Sequence, residues 1–237
     1  MWVKVCGNTN LEDAELAVEA GADALGFIFA GGPRQMTPER VGMIVAQLPG
    51  HIETYGVFGN LDFDAITAIV EESGLNGIQL HAGAEIAATV VLAARLKAHF
   101  ARRYEETGRL GQMRIHHVLH YHPEIAQDLT QVAQSPAIDA ALVDNRTANL
   151  LGGTGISFDW QGARESFQGA GLRLIAAGGL KPENVAEAIF TLQPWGVDVA
   201  SGVEATVGKK DPAKVHDFVT RARQAVQQMK ATANKIH

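Results

Sequence analysis

A chain of 237 residues that is 46% hydrophobic and only 19% charged can bury a sizeable core, which excludes a disordered polymer. Its formal net charge of −6, with lysine and arginine scattered along the chain, excludes a basic nucleic-acid-binding face, and its single cysteine excludes a disulfide framework or a CxxC metal site. The start, MWVKVCGNTN, shows no basic region followed by a long apolar stretch, and no apolar run reaches the roughly 18 residues that span a bilayer, so a soluble cytoplasmic protein is expected.

Short β-rich runs alternate with helix-like runs from end to end. WVKVC (2–6) is followed by the helical spacing of LEDAELAVEAGA, ALGFIF (24–29) by TPERVGMIVAQL, and ETYGVF (53–58) by DFDAITAIVEES. GIQLH (77–81) precedes AEIAATVVLAARLKAHF, and RIHHVLH (114–120) precedes PEIAQDLTQVAQ. AALVD (140–144), LRLIAA (172–177) and VDVAS (197–201) complete eight strands, with PENVAEAIF and VHDFVTRARQAVQQM as the last helices. Strands alternating with helices build a parallel sheet. Eight such units, without an opening GxGxxG turn, fit a closed (β/α)8 barrel better than an open doubly wound sheet, and the length suits one barrel. The expectation is a single domain over 1–237, with an exposed polar insertion at about 101–113, where ARRYEETGRLGQM breaks the periodicity.

Barrel chemistry gathers where strands end and loops begin. Cys6 closes strand one, His81 strand four and Asp144 strand six, with strands one and six facing each other across the ring. Cys6 reads either as a small buried hydrophobe or as a thiolate base or nucleophile helped by Lys4 on the same strand face. Asp144 reads as a paired or working carboxylate, or as a turn residue with Asn145. His81 is equally compatible with a satisfied core-edge histidine. Arg34, on the glycine loop before the Thr37-Pro38 helix start, can clamp a carboxylate or phosphate with its fork or stay solvated. In RIHHVLHYH, His116, His120 and His122 share one parity and His117 the other; without a nearby carboxylate pattern, a metal site is not expected.

Three glycine turns mark the last third: GGTG at 152–155, AGGL at 177–180 and ASGVE at 200–204. The second and third follow apolar strands and precede helix-like segments, KPENVAEAI and DPAKVHDFV. Glycine permits close backbone approach and a helix start adds partial positive charge, so these turns are read as phosphate cradles.

The residues KVCGNTN (4–10), GADALGFIFA (21–30), PRQMTPE (33–39), YGVFGN (55–60), IQLH (78–81), LVD (142–144), GGTGISFDW (152–160), AAGGLKPENV (176–185) and GVDVASGVE (196–204) stand in an order and spacing that resemble the phosphoribosylanthranilate isomerase family of tryptophan biosynthesis. The resemblance implies a (β/α)8 fold and an Amadori rearrangement of a phosphorylated small molecule without a cofactor. It implies Cys6 as general base and Asp144 as general acid. It places Arg34, His81 and Asp198 at the substrate, Gly178, Gly179, Ser201 and Gly202 at its phosphate, and GGTG in a loop over the sugar. A monomer or homodimer is expected. Asn8, Ala82, Asn145 and Arg146 depart from the family's usual residues. An isomerase or aldolase acting on another phosphosugar, and a catalytically silent phosphometabolite-binding barrel, are the competing readings.

Overall fold

The computed structural model describes residues 1–81, 85–107, 112–145 and 158–233. Among them, eight parallel strands close into a barrel in sequence order: β1 Trp2–Val5, β2 Ala24–Ile28, β3 Glu53–Phe58, β4 Gly77–His81, β5 Arg114–His120, β6 Ala140–Asp144, β7 Leu174–Ala176 and β8 Gly196–Val199. Helices α1 Leu11–Glu19, α2 Pro38–Val45, α3 Phe63–Ser73, α4 Ile86–Thr107, α5 Ile125–Ala133, α6 Trp160–Gly169, α7 Val185–Leu192 and α8 Pro212–Ala233 lie between and after the strands. The barrel closes where Trp2, Val3, Lys4 and Val5 of β1 pair in register with Gly196, Val197, Asp198 and Val199 of β8.

Local sequence explains where helices begin. Asn10 caps α1 through Asp13 N–H at 2.9 Å, Asp62 caps α3 through Ala65 N–H at 2.9 Å, and Thr37 caps α2 with Pro38 in its first turn. Gly74 ends α3 at a φ of 68°, a left-handed position that costs glycine nothing. The outward side chains of the strands join the apolar helix faces in one continuous core, including Val3, Leu25, Phe27, Ile78, Ile115, Val143 and Val197.

Inward side chains fill the barrel. Its N-terminal end is plugged by aromatics: Trp2 stacks on Trp195 with centroids 5.2 Å apart, and Tyr55 stacks on His116 at 4.4 Å. Gly77 and Gly196 make room for this plug, because a Cβ at Gly77 would lie 2.5 Å from the Tyr55 ring and one at Gly196 2.8 Å from the Trp2 ring. Glu53 receives Trp2 Nε1–H at 3.2 Å and Tyr55 O–H at 2.8 Å, and pairs with Arg114 at the solvent edge. The polar atoms that enter this end of the barrel are thus largely satisfied.

Residues 101–107, expected within an exposed insertion at 101–113, continue α4 for two turns, and those of them whose side chains are described are mostly exposed; residues 108–111 lie outside the described residues. Between β8 and α8, where the sequence suggests a turn leading straight into a helix, the chain forms a 3-10 turn at Ser201–Val203 and a small hairpin, β9 Glu204–Thr206 with β10 Lys209–Lys210.

Candidate active site

Parity along the strands places Lys4 and Cys6, Gln79 and His81, Leu142 and Asp144, and Asp198 on the inside of the barrel. A cavity of about 740 Å³, counted to its open mouth, sits at the C-terminal ends of the strands. Cys6, Arg34, His81, Asp144, Asp198, Gly178, Gly179, Ser201 and Gly202 all line it. Every site residue expected from the sequence therefore meets in one place. β6 lies three strands from β1 through β7 and β8, so Cys6 and Asp144 flank an arc of the rim that carries both glycine turns.

Cys6 follows directly on β1 and is anchored by its own backbone: its N–H donates to Val199 O at 2.7 Å and its carbonyl accepts Lys210 Nζ at 2.6 Å. Gly26 on β2 leaves space for the thiol, since a Cβ there would lie 2.5 Å from Cys6 Sγ and 3.0 Å from Lys4 Cε. Burial pushes the thiol up from its ordinary value, against the pull of the Lys4 and Lys210 charges. Lys4 is fully buried, and its Nζ donates to Asp198 Oδ1 at 2.8 Å. Burial opposes the Lys4 charge, but Asp198 and Cys6 outweigh it and hold the ammonium above the ordinary lysine value.

Asp144 is 9% exposed, and its Oδ1 accepts the Asn145 N–H at 2.7 Å. Burial, with the charge of Asp198, pushes its carboxyl up to about 6, although the Asn145 N–H and Lys4 act the other way. Gly178, at a φ of 75°, is a necessity of this arrangement: a Cβ would lie 2.1 Å from Asp144 Oδ1. His81 is held down to about 3, chiefly by burial and then by His120 and Lys4, so its ring is neutral. Its Nε2 lies 3.3 Å from Gln79 Nε2, while His81 Nδ1 and Gln79 Oε1 are buried without a protein partner.

Arg34 lines the cavity and is also gripped by a carboxylate of the protein itself, a partner that the sequence did not suggest. Its Nε and Nη2 form a fork on Glu204 Oε1 and Oε2 at 2.7 and 2.6 Å. Burial would raise the Glu204 carboxyl, but Arg34 and Lys210 hold it below the ordinary value. Lys210 Nζ joins this cluster to the Cys6 and Ala200 carbonyls at 2.6 and 3.2 Å, and Thr9 Oγ1 donates to Gly208 O at 2.6 Å. The β9–β10 hairpin thus clasps the end of β1.

The two glycine turns interlock. A Cβ at Gly202 would lie 1.9 Å from Leu180 O, so the turn after β8 packs directly on the turn after β7. Asn184 shapes the latter, accepting Lys181 N–H at 2.8 Å and donating to Gly179 O at 3.0 Å. The GGTG segment, Ala82 and Arg146 lie outside the described residues. Asn8 is fully buried away from the cavity lining and donates to Val5 O and Gly26 O at 2.9 and 3.2 Å, so this departure from the family pattern ties β1 to β2.

The histidines of β5 separate. His116 belongs to the aromatic plug, 3.1 Å from Tyr55 Oη; His117 is buried beside Val118 O; and His122 pairs with Asp128 at 2.8 Å. Gln79, Glu204 and Lys210 were not singled out from the sequence. Gln79 was within reach of the parity argument, two residues before His81, whereas Lys210 sits in a hairpin that carries no periodic signal.

The family model described as N-(5'phosphoribosyl)anthranilate (PRA) isomerase matches residues 3–221. The chain belongs to this family. It is 39% identical over 223 residues to the N-(5'-phosphoribosyl)anthranilate isomerase of Pelobacter propionicus, covering 94% of this chain and 95% of the relative. It is 39% identical over 229 residues to that of Symbiobacterium thermophilum, covering 94% and 98%. Among solved structures, phosphoribosyl anthranilate isomerase from Thermotoga maritima superposes with a TM-score of 0.78 at 32% identity, over 94% of this chain and 99% of that one. A phosphoribosyl anthranilate isomerase solved in complex with reduced 1-(o-carboxyphenylamino)-1-deoxyribulose 5-phosphate gives 0.75 at 32% identity, with the same coverage. The barrel shared with these isomerases is the one described above.

Proposed function

We propose that this chain, as a phosphoribosylanthranilate isomerase of tryptophan biosynthesis, converts N-(5'-phosphoribosyl)anthranilate to 1-(2-carboxyphenylamino)-1-deoxyribulose 5-phosphate, with Asp144 as general acid and Cys6 as general base. The observation that carries this reading is the meeting of a carboxyl raised to about 6 and the chain's one cysteine on a single cavity rimmed by interlocked glycine turns. Asp144 gives its proton to the furanose ring oxygen as the C1–O bond breaks, and the nitrogen lone pair forms a Schiff base at C1. The Cys6 thiolate then takes the C2 proton. The C2–H electron pair becomes the C1–C2 double bond of an enolamine, the iminium pair returns to nitrogen, and tautomerisation gives the ketone.

The reactive form, thiolate with carboxylic acid, differs from thiol with carboxylate only in the position of one proton. Burial raises the Asp144 carboxyl to about 6, so a larger share of it holds a proton near neutrality than an ordinary aspartate would, while the same burial raises the thiol and leaves the thiolate in need of a cation. Gly178, Gly179, Ser201 and Gly202 offer backbone N–H groups to the phosphate at the turns after β7 and β8. Arg34, oriented by Glu204, keeps Nη1 for the anthranilate carboxylate, while neutral His81 and Asp198 face the sugar. The chain acts in the cytoplasm as a monomer or homodimer.

Freshly made phosphoribosylanthranilate loses its fluorescence on isomerisation. Adding the pure protein in excess chelator is expected to accelerate that loss far beyond spontaneous decomposition and to yield the ketone product. Decay at the spontaneous rate would overturn the assignment and favour another phosphosugar.

A further inference from the structure

Beneath Cys6 the barrel holds a charge that the reaction does not itself require. Lys4 has no exposed surface, its ammonium lies 2.8 Å from Asp198 Oδ1, and its position on β1 two residues before Cys6 points both side chains inward. The two side chains crowd the same point above Gly26, at 2.5 Å for Cys6 Sγ and 3.0 Å for Lys4 Cε. A buried ion pair contributes little to stability compared with apolar packing of the same volume, so it calls for another purpose. Among the described residues, six charged or titratable groups surround the thiol: Lys4 from β1, Asp198 from β8, Lys210 from the hairpin, Arg34 from the loop after β2, Asp144 from β6 and His81 from β4. Arg34 is forked on Glu204, Lys210 spreads its ammonium over the Cys6 and Ala200 carbonyls and Glu204, and His81 is neutral. Among the described residues, Lys4 is therefore the cation whose side chain meets the thiol, with Lys210 adding a weaker pull.

We propose that Lys4, held in place by Asp198, is a positioning residue that stabilises the thiolate form of Cys6, so that proton abstraction is the work of a Cys6–Lys4–Asp198 triad. This rests on the reading of Cys6 as base. Lys4 remains protonated throughout and touches no substrate atom: the thiolate accepts the C2 proton, becomes a neutral thiol, and leaves the ammonium paired with Asp198 alone. The proton that Cys6 must first lose is the one Asp144 carries in the reactive form, so no external acid or base is consumed.

Because Cys6 is the chain's one cysteine, the difference in ultraviolet thiolate absorbance between a protein and its Cys6→Ser counterpart titrates this group alone, without substrate. Lys4→Met is expected to move the midpoint upward by about one pH unit or more, and Lys4→Arg to keep it within about half a unit of wild type. In parallel, the alkaline limb of the kcat profile moves up and its plateau falls roughly tenfold per unit of that shift. Should Lys4→Met not fold, Lys4→Met with Asp198→Asn removes both charges together; its midpoint is also expected to rise, by less, because Asp198 no longer repels the thiolate. An unchanged midpoint in the folded variant overturns the proposal. A raised midpoint in a protein that turns over no phosphoribosylanthranilate upholds the triad and instead removes the isomerase reading.

Discussion

At the residue scale, Asp144 shows how a site is held at a cost to the fold. Its carboxyl ends a strand, is nearly buried, and has its ionised form disfavoured enough to bring it up to about 6 from 3.8. The folded state thus binds its proton more tightly than the unfolded chain does. That contribution to stability is complete below the unfolded value and is lost as the pH rises from about 4 through 6. Asp144→Asn keeps an acceptor for the Asn145 N–H and carries no charge. It should be more stable than wild type by about 1–3 kcal/mol at pH 8, with the gap closing below about pH 4. Urea unfolding midpoints at pH 4, 6 and 8 measure this, and a variant less stable than wild type at pH 8 contradicts it. The same substitution is expected to slow catalysis, so stability and activity move in opposite directions at one residue.

At the scale of elements, the turns after β7 and β8 form a single unit, because Gly202 approaches Leu180 O too closely for any side chain. Gly202→Ala must push the two turns apart. With the acid and base untouched, KM for the phosphorylated substrate should rise at least about tenfold while kcat changes less, the pattern of lost uniform binding. Steady-state kinetics decide it, and an unchanged KM would move the phosphate elsewhere.

Elements with a strong local signal were legible in the sequence. All eight strands lie at or within two residues of their expected places because β-rich runs ended by glycine, asparagine or histidine turns specify both the strand and its end. α4 extends past its apolar stripe because ARRYEET consists largely of helix formers on a solvated surface, where periodicity falls silent though propensity persists. The β9–β10 hairpin, with strands of three and two residues, is too short to leave a periodic trace. Strand ends brought Cys6, His81 and Asp144 into view. Parity also put Lys4 beside Cys6, but the ion pairs across the ring stayed hidden, since Arg34 meets Glu204 across 170 positions and Lys4 meets Asp198 across 194.

At the scale of the whole molecule, closure of the barrel is what makes these partnerships. The seam between β1 and β8 carries Lys4 and Asp198 inside, and outside it Arg223 of α8 donates to Gly21 O at 3.0 Å and pairs with Asp23 at 2.7 Å, while also binding Met1 O. Asp23 in turn accepts Val3 N–H at 2.7 Å. The first strand is therefore fixed by the last strand and the last helix as well as by β2, and these contacts together hold the proposed base. The aromatic plug closes the N-terminal end and the cavity opens at the other, the division expected of a barrel with a packed floor and a reactive rim.

The central claim is that one acid and one base on that rim perform the isomerisation. The most direct test is kcat for Cys6→Ser and Asp144→Asn beside wild type, with binding of a reduced product analogue measured on the same preparations. The account predicts that each substitution lowers kcat by at least about a hundredfold while analogue affinity stays within a few-fold. Near-normal turnover in both variants would contradict it.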